Sequence, residues 1–289
     1  MQTREKNKIE KSTLYLVGTP IGNLSDISER AKKVLSEVDF IAAEDTRNTL
    51  KLLLALGIHS ELVSYYEHNK KASGERILAR LLSGDSCALV TDAGMPAISD
   101  PGEDIVRLCA ENNVNVSVIP GPCAAVSALA LSGLPTGRFC FEGFLSAKSG
   151  ERKKQLDKLA REERTMIFYE APHKLKSTLS DMKDAFSGER RISLCRELTK
   201  LNEEALRMTL SEAVEYYTER EPKGEYVLIV EGASEKDTDS DGENPLLSLS
   251  PEMHVKKYEN DGLARMDAIK AAAKDRGMTK SELYKLLHE

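Results

Sequence analysis

An α/β fold with two α/β domains is predicted by three observations. Short apolar runs stop at Gly- and Pro-rich loops, segments of helical periodicity separate these runs, and the whole pattern occurs twice in succession. The 289 residues leave room for two domains and a small third. The first block predicts a mostly parallel sheet built from βαβ units. The second, which closes on an alternating strand, predicts a mixed sheet.

Thr13–Val17 is a buried strand ended by Gly18-Thr-Pro-Ile-Gly22. Ser28 to Glu37 is helical, Asp39–Ala43 is the second strand, and Thr46 to Leu56 is a helix ending at Gly57. Leu62–Tyr65 is a third strand. A helix follows over 73–82 with Ser73 as its N-cap. Ser86–Val90 is a strand running into the loop Thr91–Gly102, followed by a helix over 103–111 and a strand over 116–119. The second block begins near Ala124 with a small-residue helix to Leu131. It continues with strand 139–144, charged helix 151–163, strand 165–169, helix 174–186, strand 191–195, helix 210–217 and strand 225–231. The expected limits are 12–122 for the N-terminal domain, 123–233 for the C-terminal domain, 234–251 for an acidic flexible linker, and 252–289 for a helix-turn-helix-like extension. In that extension Ala273, Gly277 and Leu283 stand where a small residue, a turn glycine and a packing residue are needed.

The net charge is -6, with 40% apolar residues and no Trp. That apolar fraction excludes disordered, collagen-like and coiled-coil classes. Five acids and one Lys between Ser234 and Ser250 carry most of the negative balance, so the remaining chain is nearly neutral. A bulk electrostatic coat for nucleic acid is excluded, whereas recognition of a structured RNA by a few placed Arg and Lys is not. The five cysteines are odd in number and lack CxxC spacing, which argues against a disulfide framework and a structural zinc. No secretory signal and no apolar run of about 20 residues is visible. The expectation is a cytoplasmic chain without a metal.

Chemistry-bearing residues gather at strand ends, where open α/β sheets bind ligands. Gly18-Thr-Pro-Ile-Gly-Asn23 is neither GxGxxG nor a Walker loop, and by itself fits a tight turn equally well. Glu44-Asp-Thr-Arg47 offers three ionisable groups, although Asp45 or Thr46 also suits a helix cap. Thr91–Gly102, with two Pro and two Asp, is the strongest local signal. Pro120-Gly-Pro-Cys-Ala-Ala125 brings small residues to a helix N-terminus, with Cys123 better suited to packing than to nucleophilic attack. In the second block, Tyr169–Lys174, Arg196–Glu204 and Lys223–Tyr226 form a polar inventory whose members would singly be surface ion pairs. The segment 148–164 holds seven basic and four acidic residues, either a positive patch or a solvated helix face.

These motifs together resemble the tetrapyrrole methylase superfamily of S-adenosylmethionine-dependent enzymes. The carriers are Leu14–Leu24, Ala43–Arg47, Thr91–Pro96 and Tyr169–His173. The similarity covers about residues 12–233 and is narrowest to a branch that methylates the ribose 2′-oxygen of a decoding-site cytidine in 16S ribosomal RNA. The resemblance implies S-adenosylmethionine in the cleft between the two domains, a homodimer, and the small ribosomal subunit as partner, with no role for membrane or DNA. It implies cofactor contacts at Pro20, Ile21, Asp92, Gly94, Met95, Ile98, Cys123, Ala124, Tyr169, Glu170, Leu198, Thr199 and Tyr226. Two departures stand out. Met95 replaces the superfamily's usual Asp, with Asp92 as a possible substitute, and Cys123 stands where relatives carry Ser or Thr.

A ribose hydroxyl is a poor nucleophile, so a general base or polarising Lys is expected beside it. Glu44, Asp45, Glu170, His173, Lys200 and Glu203 are the unranked candidates, and Arg47, Arg196 and Lys200 are expected to hold RNA. Two alternatives remain open at this level. One is a methylase of a small molecule or protein, of tetrapyrrole or diphthamide type, on the same fold. The other is a ligand sensor that reads DNA through its helical tail.

Overall fold

A computed structural model describes residues 8–234, 246–247, 249–260 and 262–287. The chain divides into two compact units, Met1–Asp157 with Arg164–Glu231, and Lys158–Glu163 with Gly232–Glu289. The expected linker lies mostly outside the described residues.

The first unit holds two five-stranded sheets. In the first, β1 (Thr13–Val17), β2 (Phe40–Ala43), β3 (Leu62–Ser64), β4 (Cys87–Val90) and β5 (Asn115–Ile119) lie in the order β3-β2-β4-β1-β5, all parallel. The helices α1 (Glu29–Glu37), α2 (Thr46–Ala55), α3 (Lys70–Leu82) and α4 (Gly102–Glu111) link the strands. Successive strand residues serve opposite layers, because side chains alternate across a strand. Tyr15, Val17, Ile41, Ala43 and Val90 pack with Val34 and Leu35 of α1 and Leu53 of α2. Leu14, Phe40, Ala42 and Leu89 pack with Ile77 and Leu81 of α3 and Ile105 of α4. A strand covered on both faces needs apolar residues at every position, which is why these strands read as unbroken runs.

The second sheet comprises β6 (Phe139–Phe144), β7 (Thr165–Glu170), β8 (Arg191–Arg196), β9 (Glu204–Thr209) and β10 (Tyr226–Val230), in the order β6-β7-β10-β8-β9. Only β6 and β7 run parallel, so the sheet is mixed as expected. Its helices are α5 (Ala124–Ser132), α6 (Ser149–Leu159), α7 (Pro172–Phe186) and α8 (Leu210–Tyr216). Ala125, Ala128 and Leu129 of α5 pack on Ile167, Cys195, Val227 and Ile229; small side chains let this helix lie close to the sheet.

Cap chemistry sets several helix starts. Ser28 accepts from the Ala31 amide, Asp45 from the Arg47 amide, and Thr209 forms a capping box with Glu212. Helix α3 departs from expectation. It begins at Lys70 behind Asn69, and Ser73 is buried inside it, accepting from Arg76. Lys70-Lys-Ala72 are good helix formers and add the extra turn. Strand β9 was not expected: it is a half-buried edge strand, so its apolar positions are diluted by Glu204 and Arg207. Helix α6 ends at Leu159 and not at Glu163.

The second unit is helical: α9 (Pro251–Asn260), α10 (Arg265–Asp275) and α11 (Lys280–Leu286). Val255, Ala268, Ile269, Ala272, Ala273 and Leu283 form its core, with Gly277 turning the chain at φ +66°. Helix α9 is additional to the two expected helices. No helix among the described residues is long and apolar enough to cross a membrane.

Candidate functional site

Loops at the carboxyl ends of the first sheet and loops of the second sheet enclose a cavity of about 510 Å³ within the first unit. On the first-sheet side, backbone contacts position the wall. A Cβ at Gly18 would stand 2.7 Å from Gly121 Cα and 2.7 Å from Met95 Sδ, so the loops after β1 and β5 touch only because both residues are glycine. Thr19 and Gly94 exchange backbone hydrogen bonds of 2.9 and 3.1 Å, pinning the loop after β4 to the loop after β1. Gly94 has φ +86°, and the same loop holds Ala97 and Ser99 at φ +67° and +63°. Asp100 Oδ1 keeps this path in place by accepting from the Ala97 and Gly102 amides at 3.0 and 2.7 Å. Strained backbone over-determined by side-chain bonds is typical of ligand clamps.

The second-sheet side is charged and clamped. Lys200 Nζ lies 2.9 Å from Glu197 Oε1 and 2.8 Å from Glu225 Oε2, and all three residues line the cavity. Glu197 Oε1 also accepts from the Glu225 amide at 2.9 Å. That bond and the Lys200 ammonium hold the Glu197 carboxyl below its ordinary range. Burial works against the Lys200 charge, but Glu225 and Glu197 outweigh it and raise the ammonium above its usual value. The turn is tight: Glu197 and Thr199 have φ +51° and +66°, and Thr199 N donates to Glu203 Oε2 at 2.6 Å. Gly22 of the first loop abuts this turn, where a Cβ would come within 2.4 Å of Lys200 Cγ.

Of the expected cofactor contacts, Ile21, Asp92, Gly94, Met95, Ile98, Cys123, Ala124, Tyr169, Glu170, Leu198 and Tyr226 all line this one cavity; Pro20 and Thr199 lie next to it in sequence but outside the lining. Residues from both sheets therefore converge, as a cleft site requires. Burial raises the Tyr169 hydroxyl above its usual range. Tyr226, 3% exposed, accepts a bond of 3.3 Å from Tyr217.

The expected catalytic candidates separate. Glu44 and Lys200 line the cavity, and Glu44 Oε2 accepts from Thr91 Oγ1 at 2.9 Å. Glu170 lines it too, but its oxygens are engaged by the Ala171 amide at 2.8 Å, Thr178 Oγ1 at 2.5 Å and Lys174 at 3.1 Å. Asp45, His173 and Glu203 are outside the lining. Asp45 holds Arg47 at 2.8 Å, and its bonds to the Arg47 side chain and amide lower the carboxyl to about 2. Of the expected RNA contacts, Arg47 has an 86% exposed side chain, and Arg196 is paired with Glu204 at 3.3 Å.

Sequence reasoning missed Glu197, Glu225, Ser99, Asp100 and Phe144 as wall residues. Glu197 and Glu225 sat inside segments already marked as polar strand ends. Phe144 was hidden in a strand, where only Gly143 beside it signalled an irregularity. Among the described residues, no group of three His, Cys, Asp or Glu side chains could hold a metal ion.

A parallel open sheet and a mixed sheet whose loops share one cavity define a two-sheet, small-ligand-binding class of enzyme. Solved structures share this fold. Uroporphyrin-III-C-methyltransferase from Thermus thermophilus matches with TM-score 0.55 at 20% identity, covering 76% of this chain and 94% of that one. A cobalt precorrin-4 methyltransferase of cobalamin biosynthesis matches with TM-score 0.56 at 16% identity, covering 76% and 95%. A third solved structure, of the Thermus thermophilus enzyme complexed with S-adenosylhomocysteine, matches with TM-score 0.52 at 21% identity, covering 76% and 97%.

The family model for tetrapyrrole (corrin/porphyrin) methylases matches residues 13–214. Proteins named ribosomal RNA small subunit methyltransferase I match nearly end to end. That of Halalkalibacterium halodurans is 48% identical over 100% of both chains, that of Bacillus subtilis 46% over 97% and 96%, and that of Escherichia coli O157:H7 43% over 99% and 98%. The chain belongs to the tetrapyrrole methylase family and, inside it, to the ribosomal RNA small subunit methyltransferase I family.

Proposed function

We propose that this chain methylates the ribose 2′-oxygen of a cytidine in the decoding region of 16S ribosomal RNA. Family membership makes it a methyltransferase of ribosomal RNA with S-adenosylmethionine as methyl donor. The finer reading, with the small ribosomal subunit as partner, a cytoplasmic location, a homodimer, and domain limits at 12–122 and 123–233, is part of the proposal. The observation that carries it is one cavity lined by loops of both sheets, with Ile21, Met95 and Ala124 beside Asp92 on one wall and Lys200 paired with Glu197 and Glu225 on the other.

The residues present fit S-adenosylmethionine. The Gly18–Gly121 approach sets the loops that hold Gly94 and Met95 in the wall, and Ile21, Met95, Ala124, Leu198 and Val227 offer apolar contact. Asp92 stands in the same wall as a carboxylate for a hydroxyl or amine, the role its neighbour Met95 cannot take. When bound there, the sulfonium supplies an already activated methyl group.

The protein's task is then placement and proton handling, and placement by itself is worth roughly 7–11 kcal/mol of barrier in good cases. Lys200, kept protonated by two carboxylates, holds the acceptor oxygen and stabilises charge developing on it. Glu225, with a side chain 82% exposed and bonded to Lys200, takes the hydroxyl proton. Glu170 instead braces the start of α7 through Ala171, Thr178 and Lys174. Both arginines are paired, Arg47 with Asp45 at 2.8 Å and Arg196 with Glu204 at 3.3 Å, and Arg47, with its side chain 86% exposed, is the more accessible to an RNA phosphate. The test is incubation with labelled S-adenosylmethionine and either small subunits lacking the modification or free uroporphyrinogen. Label on a cytidine ribose is expected; label on the tetrapyrrole alone would overturn the reading.

A further inference from the structure

We propose that Phe144 is a stacking platform for the nucleobase of the acceptor nucleotide, and that Lys148, Lys153 and Lys154 lead the RNA backbone to it. The inference rests on the RNA reading above and adds a base-recognition site to it. Strand β6 is an edge strand whose register with β7 shifts between Phe141 and Gly143, and Gly143 has φ +65°. Such a bulge re-aims the side chain that follows. Phe144 is thereby turned to the cavity, which it lines while staying 57% exposed.

The ring is braced by two neighbours and stays 57% exposed. Tyr169 lies 5.5 Å from it at 59°, and Tyr169 is itself held edge-on by Phe141 at 5.1 Å. Lys174 Nζ sits 5.6 Å from the Phe144 centroid, tethered by Glu170. Across the same cavity, Ile98 of the other wall is 50% exposed. A flat heterocycle is the ligand that suits exposed aromatic and aliphatic surface of this kind, and unstacked RNA bases are recognised in this way.

Chain direction supplies the second observation. Residue 144 runs through Leu145 into helix α6, whose Arg152 is buried and turned inward onto Asp181 at 2.7 Å. That leaves Lys148 and Lys153 with side chains 80% and 54% exposed, in loose pairs with Glu151 at 3.0 Å and Asp181 at 3.5 Å, and Lys154 exposed beside them. These lysines follow Phe144 in the chain within ten residues, and cations combined with an exposed aromatic are what single-stranded nucleic acid selects.

The adenine of the cofactor shares the chemistry of an RNA base, so the test separates the two sources. The chain has no Trp, so F144W in the full-length protein creates a single fluorescent reporter. It is titrated with an RNA hairpin of the decoding region and, separately, with S-adenosylhomocysteine. Quenching by the RNA, with or without saturating S-adenosylhomocysteine, is expected. Quenching by S-adenosylhomocysteine alone would assign the platform to the cofactor and overturn the proposal, as would silence toward an RNA that filter retention shows to be bound. If the wild-type protein retains neither the hairpin nor small subunits lacking the modification, the RNA reading fails and the platform falls with it; if it retains only the subunits, the titration is made with them. In K148A/K153A/K154A, RNA affinity should drop about tenfold or more at 0.15 M salt, with a shallower salt slope. S-adenosylhomocysteine affinity serves as the fold control; an unchanged slope in a variant that still binds it would overturn the basic track.

Discussion

The two walls of the cavity are built differently. Behind the first-sheet wall, Gly18 and Gly121 let the loops after β1 and β5 meet backbone to backbone, and the wall itself carries Gly94 and Met95 beside the carboxylates of Glu44, Asp92 and Asp100. The second-sheet wall is made by putting charged side chains in, with Lys200 held between Glu197 and Glu225. Backbone packed against backbone fixes the shape of the first wall and does not titrate. A cluster of charged side chains can hold and move protons but depends on its mutual spacing. The contrast teaches that shape and proton handling in one cavity are specified by different physics.

The largest effect that would sharpen this contrast is expected at Gly18. G18V drives a branched side chain into Gly121 and Met95, and should cost about 3 kcal/mol of stability. It should also abolish S-adenosylhomocysteine binding, measured by denaturant unfolding and calorimetry. An unchanged binding constant would break the idea of a wall whose shape is set by backbone packed against backbone. On the second-sheet wall the expectation is inverted. K200M should lower kcat for RNA methylation about 100-fold, while unfolding shifts by less than about 1 kcal/mol, since the pairs it loses are partly exposed. A stability loss as large as that of G18V would show the cluster to be structural.

G224A tests the spacing of the cluster. Gly224 has φ +80°, and a Cβ there would come within 2.5 Å of Glu197 Cγ, so a loss of about 1–2 kcal/mol with a parallel fall in kcat is expected. Normal kcat in that variant would uncouple Glu197 from Lys200. The smallest effect concerns acid. The Glu197 carboxyl is lowered in the folded chain, so its contribution to stability is present above its ordinary value of 4.5 and is lost as pH falls through the lowered one. E197Q should flatten that part of the stability profile; a profile identical to wild type would remove Glu197 from the clamp.

The central strands of the first sheet, β1, β2 and β4, were legible in the sequence because burial on both faces demands apolar residues along the strand. Asp45 was legible as a cap because its carboxylate needs only the next turn's amides. Strand β9 was not, since an edge position tolerates Glu204 and Arg207 and so erases the apolar signal. Ser73 misled for a related reason: a good cap residue was overridden by the helix formers before it. The loops that carry ligand-binding residues were visible as Gly, Pro and Asp clusters at strand ends. Their partners, Glu225 beside Lys200 and Phe144 beside Tyr169, were not.

By itself the sequence determined the two α/β blocks, the strand-end loops and the family, because periodicity, turn chemistry and motif spacing are local properties. Tertiary structure alone decided which side chains share the cavity. Glu170 looked like a candidate base until burial joined it to Thr178 and Lys174, and Glu225 gained a role only when β10 brought it 2.8 Å from Lys200. The physical reason is that a carboxylate's chemistry is set by its solvation and its neighbours. Those neighbours come from strands that are adjacent in the sheet but distant along the chain.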